Sequence, residues 1–480
     1  MSTLPQMIAS YLPSEEADTT IVAFFQMPSK IQGQQAKLGA VRGFFGEGRQ
    51  GLVSVGLGLE EKASLEPEFL EKIRLLGGST WSRLVSEKCR VLNVKVDSFC
   101  WKGSLAWVGA FAEGLILASY RFHGYRSVKK DEKMPRFVFH TQDKKQFLEL
   151  KRVLGWVDSV GEAVAITRNW SNEPSNWGTP VTFAEQAKQL ARKYGLKCSV
   201  MTEKQIKSQK MDLFLAVGQG SHRESRWVVL EYIPKKAYRK TVALVGKGVT
   251  FDSGGISLKP ALKMEEMKHD MTGAATVLGA TLLAAWNHAP VRILTYMPFT
   301  ENMPGGGAIQ PGNVIRARSG KTVEIVNTDA EGRLILADAL DFAQDAKPDV
   351  LIDVATLTGA VSIALGKQCC AILGNDGSLI QKLKQSARIQ GEKIWELPLF
   401  EEYFEDLKSD VADMKNVGND GCAGVIRGAS FLKEFIRKKT IWAHLDIAST
   451  AYHMSHLSYC PKRGASGAYV RSLAEFLIHG

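Results

Sequence analysis

Seven residues have the types and spacing from which a reaction centre can be built: Lys247, Asp252, Lys259, Asp270, Asp329, Glu331 and Arg333. The apolar run Thr241–Val245 leads straight into Gly246-Lys247-Gly248-Val249-Thr250-Phe251-Asp252-Ser253-Gly254-Gly255. Lys247 and Asp252 therefore follow the end of a strand, among glycines that let backbone approach a bound species. A second run, Val323–Val326, delivers Asn327-Thr328-Asp329-Ala330-Glu331-Gly332-Arg333. Asp329 and Glu331 are two apart, so in an extended loop their carboxylates can face the same way. Each residue alone has an ordinary explanation: Asp270 as a helix-surface charge, Asp329 as a helix cap, Arg333 as an ion-pair partner. Together they suit divalent cations, which prefer carboxylate oxygen; two such cations close together need bridging carboxylates because they repel one another. No HExxH segment occurs, which disfavours a His-based single-zinc site. A phosphate loop would need glycine at position 241 and Ser or Thr at 248, where Thr241 and Gly248 stand. His269, beside Asp270, reads as a support for that carboxylate or as structural.

These residues need strands and helices to position them. From about residue 180 onward helices and apolar strands alternate: a helix over Phe183–Tyr194, then strands at Leu213–Val217, Trp227–Tyr232, Thr241–Val245, Val291–Met297, Val323–Val326, Val350–Thr356 and Ile441–Ile447. A helix beginning near Met264, with Glu265 and Glu266 in its first turn, is expected to carry Asp270, and another begins near Leu334. Such alternation predicts an α/β fold with a mixed, mostly buried sheet flanked by helices, its ligand site beyond the carboxyl ends of the strands. Residues 1–160 predict a smaller α/β domain, with strand-like runs at Thr20–Phe25, Gly51–Gly56, Arg90–Val96 and Gly114–Ser119 and a helix at Pro67–Leu76. Residues 161–180 read as a connecting helix and loop: apolar Val157, Val160, Val164 and Ile166 mark a helix over Leu154–Asn169, and Asn172–Pro180 is loop-like. Residues 181–480 form the larger domain. Met271–Val291 lacks Asp, Glu, Lys and Arg, but Thr272, Thr276, Thr281, Asn287 and His288 interrupt it, which predicts a buried helix rather than a membrane span.

At Val245–Pro260 and at Asn327-Thr-Asp-Ala-Glu-Gly-Arg333-Leu the sequence resembles the leucyl aminopeptidase (cytosol aminopeptidase) family. The likeness extends through Asn172–Pro180, Ala216–Ser221, Glu301-Asn-Met-Pro304, Val354–Ala360 and Trp442–Ala448, and is weak in the first domain. The resemblance implies a peptide hydrolase with two divalent metal ions per subunit, zinc or manganese. One would sit on Lys247, Asp252, Asp270 and Glu331, the other on Asp252, Asp329 and Glu331. It implies that a metal-bridging water attacks the scissile carbonyl, that Lys259 stabilises the oxyanion, and that Arg333 holds a bicarbonate ion shuttling the proton to the leaving amine. It further implies substrate contacts at Met267, Asn327, Ala330, Thr356, Leu357, Gly359, Ala448 and Ala451, with an apolar pocket for leucine-like residues and a homohexameric assembly. Because one methylene in such a pocket is worth only about 1–3 kcal/mol, broad specificity is expected. The chain departs from the family's pattern at Thr272, where a second glycine is usual and crowding is expected, and at Gln310 and Asn313.

The 480 residues, 45% hydrophobic and 23% charged, match an ordinary globular protein with more than one domain. Lys30 is the first Lys or Arg, so no export signal is expected. The seven cysteines, odd in number and without a CxxC pair, fit a reducing compartment and a cytoplasmic location. The net charge of +11 is partly local: Arg121–Arg152 holds ten Lys or Arg against four Asp or Glu. A solvated surface explains this, and DNA binding is the alternative. A third alternative, a metal-binding protein without catalysis, leaves Lys259 and Arg333 unexplained, since neither is needed merely to hold two ions.

Overall fold

The computed structural model describes residues 4–15, 17, 19–24, 40–44, 51–57, 62–86, 90–122, 124–127, 134–238 and 240–480. The fold is α/β and divides into two compact units, Met1–Ala165 with Met454–Arg463, and Ile166–His453 with Gly464–Gly480. The division falls inside one helix, Lys144–Asn172, which contains the predicted Leu154–Asn169 segment. The return of Met454–Arg463 to the first unit has no counterpart in the expected domain boundaries. Ser458 Oγ donates to Leu75 O within that unit, and Tyr459 Oη to Glu71 Oε1 at 2.8 Å.

In the first unit six strands run in the order Gln6–Ser10, Arg136–His140, Val91–Lys95, Thr19–Phe24, Gly51–Gly56, Val41–Phe44. All neighbours are parallel except the last pair. Helices Pro67–Ser86 and Ala106–Ser119 approach closely because both lack a side chain at the crossing. A Cβ on Gly77 would lie 2.2 Å from Phe111 O, and one on Gly114 2.0 Å from Arg74 O. The expected strand at Gly114–Ser119 is therefore the end of a buried helix, and a short apolar run does not separate these states by periodicity. Phe25 and Cys89 lie outside the described residues, as do 123 and 128–133 of the basic Arg121–Arg152 stretch.

The second unit is built on a nine-stranded mixed sheet. Its order is Ile394–Glu396, Cys370–Gly374, Trp442–Asp446, Val350–Ala355, Thr241–Gly246, Arg292–Asn302, Arg226–Tyr232, Lys197–Met201, with Gly248–Asp252 added beside Arg292–Asn302. The central four, from 442–446 through 292–302, are mutually parallel, so their carboxyl ends open on the same edge. Alternate side chains supply two faces. Ala243, Val245, Leu351, Ala355 and Trp442 join one core with helices Gly332–Ala343 and Gly424–Lys433. Helix Thr272–Trp286, apolar all round, is buried over Thr272–Ala285 as a helix between protein layers should be. It can sit against the sheet because Gly246 and Gly273 are bare: a Cβ on Gly246 would lie 2.5 Å from Ala274 Cα. Helix Pro180–Tyr194 starts where Thr179 Oγ1 accepts from Thr182 N at 3.1 Å and ends at left-handed Gly195.

Three expectations are corrected. Leu213–Val217 lies in helix Asp212–Gly218, not a strand; its short apolar run is buried on that core. The Val323–Val326 strand, Thr322–Glu324, belongs to a separate three-stranded sheet with Val314–Arg316 and Met414–Lys415. Asp270 is not inside a helix: a short 3₁₀ turn, Met264–His269, ends at it before helix Thr272–Trp286 begins. Among the described residues no helix is long and apolar enough to cross a membrane. Cys100, Cys198, Cys369, Cys370, Cys422 and Cys460 are free thiols.

Candidate active site

The carboxyl ends of the central strands converge on the predicted residues. Lys247 follows the 241–246 strand, Asp252 ends the 248–252 strand, and Thr356 follows the 350–355 strand. Lys247 Nζ lies 2.8 Å from Asp270 Oδ2 and 2.9 Å from Glu331 Oε1, and donates to Thr356 O at 2.9 Å. Lys259 Nζ lies 2.8 Å from Asp252 Oδ2 and also pairs with Asp329 Oδ1. Asp252, Asp329 and Glu331 each offer an oxygen, all within 4.8 Å of one another. Asp329 lies in a turn and Glu331 has helical φ and ψ, so a turn, not the extended loop expected, brings the two carboxylates together.

Backbone shape makes this convergence possible. Gly254 has φ +87°, a left-handed conformation that favours glycine, and a Cβ there would lie 2.4 Å from Ser257 O and 2.9 Å from Asp329 Oδ1. Gly332 leaves room for the lysine: its Cβ would lie 2.6 Å from Lys247 Nζ.

The electrostatics are those of a site short of positive charge, with four carboxylates facing two ammonium groups. Burial, with Glu331 and Asp252 adding to it against Lys247, pushes the Asp270 carboxyl well above its ordinary range. Burial and Asp252 likewise raise Glu331 and Asp329. Burial alone would lower Lys247, but Asp270, Glu331 and Asp252 outweigh it and hold the ammonium above the usual lysine range; Lys259 follows the same pattern. Glu331 Oε2 is buried without a hydrogen-bond partner, and Asp270 Oδ2 and Asp329 Oδ1 meet only the lysine ammonium groups. An oxygen-rich, charge-deficient cluster with a partnerless carboxylate oxygen fits divalent cations.

Among the described residues Arg333 makes no ion pair with this cluster, though it feels the charge of Glu331. Its guanidinium donates to Asn416 O at 2.6 Å, its Nε is buried without a partner, and burial brings it down to about 10 against the pull of Glu331 and Asp446. Of the expected substrate contacts, Met267, Asn327, Ala330, Leu357 and Ala448 are partly buried, Gly359 is exposed, and Thr356 is buried with its hydroxyl on Asp270 Oδ1 at 2.7 Å. Ala451 is fully buried, so it can back a pocket but not form its surface.

Four supporting residues carried no warning in their types. Asn302 donates to Asp252 Oδ1 at 2.8 Å and to Thr328 O at 3.1 Å. Thr328 Oγ1 donates to Gly254 O at 2.6 Å, clamping the two motif loops together. Asn416 Oδ1 accepts from Val326 N and its Nδ2 donates to Asn327 O, besides the bond from Arg333 to its carbonyl. Asp446 joins the loops after two central strands. Asn302, Thr328 and Asp446 do lie in segments that carry the family resemblance; Asn416 lies outside them. His269 turns its Nδ1 to Glu266 O at 2.5 Å, and burial lowers the imidazole to about 4. Thr272 is buried at the start of its helix, its hydroxyl donating to His269 O at 2.5 Å. Gln310 and Asn313 cap one another on an exposed loop.

Residues 165–474 match the cytosol aminopeptidase family, catalytic domain, and residues 28–129 match the family's N-terminal domain. The chain belongs to the cytosol aminopeptidase family. It is accordingly a metallo-aminopeptidase, a peptide hydrolase. Among other members, a probable cytosol aminopeptidase of Geobacter sulfurreducens is 45% identical over 433 residues, covering 89% of this chain and 84% of that protein. One from Nitrosomonas eutropha is 42% identical over 436 residues, covering 90% and 85%. The structure also resembles the bottromycin maturation enzyme BotP in complex with Mn, with a TM-score of 0.87 and 33% identity over 96% of this chain and 99% of that one.

Proposed function

We propose that this cytosol aminopeptidase family member is a dinuclear enzyme that releases amino-terminal residues from peptides, with a preference for leucine-like apolar side chains. The observation that carries the reading is the approach of buried Asp252 and Glu331 and part-buried Asp329 to within 4.8 Å, beside Asp270 and two lysines. Lys247, Asp252, Asp270 and Glu331 would hold one cation; Asp252, Asp329 and Glu331 would hold the other. Lys247 serves as a ligand only as the neutral amine, which adjacent dications favour by opposing its charge. Two divalent cations held there supply an acidified water and polarise the scissile carbonyl. Manganese is supported by the Mn of the similar bottromycin enzyme structure, and zinc suits the same donors.

Lys259 is the group that meets substrate. Its side chain is 21% exposed where that of Lys247 is 3%, so its ammonium can reach an oxyanion from the open side of the centre. Arg333, with its partnerless Nε, would hold a bicarbonate ion. Met267, Thr356, Leu357, Gly359 and Ala448, backed by Ala451, would receive the first side chain, and Asn327 and Ala330 would line the approach. By family likeness the enzyme works as a homohexamer in the cytoplasm. A nucleic-acid role rests on the charge of Arg121–Arg152 alone.

Turnover of leucine, arginine and aspartate amides tests the specificity. Leucine amide is expected to be fastest and arginine amide slower by roughly 10–200-fold, because an apolar pocket discriminates only modestly. A preference for aspartate amide overturns the assignment.

A further inference from the structure

We infer that Asp446 is a positioning residue that sets the width of the pocket for the first side chain by tying its two walls together. The inference rests on the proposed function, since those walls are the loops that carry Thr356, Leu357 and Gly359 on one side and Ala448 and Ala451 on the other.

Asp446 is the last residue of the 442–446 strand and stands in register with Ala355, the last residue of the 350–355 strand. Both strands leave the sheet there, and each leads into one wall. The Asp446 carboxylate is fully buried at this fork. Its Oδ1 accepts from Leu357 N at 3.2 Å and from Ala448 N at 3.2 Å, with Thr358 N more distant at 3.5 Å. Its Oδ2 accepts from Thr358 Oγ1 at 2.6 Å. Among the described residues, every hydrogen bond to this carboxylate comes from the two loops. Burial raises the Asp446 carboxyl above its ordinary range, only partly offset by His444, the Thr358 hydroxyl and the backbone N–H groups, and with no solvent to share it the carboxyl has only the two loops as hydrogen-bond donors.

The first wall is also anchored to the reaction centre. Thr356 O accepts from Lys247 Nζ, and Thr356 Oγ1 donates to Asp270 Oδ1. The second wall reaches the reaction centre less directly: Ile447 N donates to Ala355 O at 2.8 Å at the root of the fork, Ser449 Oγ donates to Cys369 O at 2.8 Å, Ala451 N bonds back to Ile447 O, and Ser466 N donates to Ala451 O. Beyond the Ile447–Ala355 backbone bond at the root of the fork, Asp446 is the side chain that ties the second wall to the first, and so sets its distance from the reacting carbonyl. It is hydrogen-bonded to none of Lys247, Asp252, Lys259, Asp270, Asp329 and Glu331. Its effect belongs on recognition of the side chain, not on the metals.

The test uses the full chain loaded with manganese and compares Asp446→Asn and Thr358→Val with the parent, on leucine amide and on glycine amide, whose missing side chain needs no pocket. Each variant is expected to raise KM for leucine amide at least about fivefold with kcat within about twofold, and to leave kcat/KM for glycine amide within about twofold, since only binding uniform to ground and transition state is lost. Bound manganese is expected to match the parent. Equal changes for the two amides, no change for either, or loss of manganese would overturn the inference. If Asp446→Asn does not fold, Thr358→Val, which removes only the hydroxyl, decides alone. A parent that hydrolyses neither amide sinks the proposed function and this inference together; an active parent with an unaltered leucine-to-glycine ratio in the variants sinks this inference alone.

Discussion

Lys247 and Lys259 both face carboxylates, and the difference between them is access. The Lys247 ammonium is enclosed by Asp270, Glu331 and the Thr356 carbonyl, whereas Lys259 pairs with Asp252 and Asp329 from a partly open side. Replacing Lys259 by Ala should therefore leave metal content unchanged and lower kcat by about 10²–10³, the usual cost of losing one oxyanion donor. Metal analysis alongside leucine-amide turnover checks this, and an unchanged kcat would break the assignment. The charged members of the site were legible because carboxylates and lysines at strand ends form a chemical pattern. Asn302, Thr328 and Asn416 were not, because a neutral amide or hydroxyl has no signature until the fold shows what it holds. Asp446 was equally hidden: one acidic residue in an apolar strand reads the same whether it holds loops or pairs with a base.

At the scale of elements, small residues decide how closely backbone and side chain can approach. Gly332 begins the 332–343 helix, and a methyl group there would fall 2.6 Å from Lys247 Cε and Nζ. Gly332→Ala should gain about 1 kcal/mol of helix propensity, yet it pushes a lysine pinned by three partners. The expected outcome is a folded protein with weaker manganese binding and lower turnover, read by metal titration. Unaltered affinity would show that the lysine yields freely. The 442–446 and 350–355 strands also carry a buried pair, His444 Nδ1 at 2.6 Å from Asp353 Oδ1, with Trp442 Nε1 at 2.7 Å from Asp353 Oδ2. Burial would lower His444, but Asp353 and Asp446 raise it above its ordinary 6.5. A raised histidine stabilises the fold fully below pH 6.5, and that contribution is lost as pH rises through the higher folded value. His444→Gln should therefore cost about 3–5 kcal/mol near pH 6 and less near pH 9, measured by urea unfolding; an equal loss at both would contradict the charge on the pair. Central strands were readable as long apolar runs. Leu213–Val217 and Gly114–Ser119 were misread because a short buried helix and a short buried strand share one composition, and only tertiary packing separates them.

At the scale of the whole molecule, the alternation of helices and strands after residue 180 was enough to anticipate a mixed sheet, and the paired lysines and carboxylates gather beyond the carboxyl ends of its strands. It was not enough to foresee that Met454–Arg463 groups with the first unit, since that segment has neither a long apolar run nor a motif. The resemblance carried by the two motif loops agreed with the family found over residues 165–474. What the chain does as an enzyme depends on whether its carboxylate cluster works with two ions. The direct measurement is leucine-amide hydrolysis by the intact protein before and after chelation, with zinc and manganese added back separately and bound metal counted. Chelation should abolish turnover, and manganese or zinc should restore it as the second ion binds. Undiminished activity after chelation, or full recovery with a single ion per chain, would contradict the account.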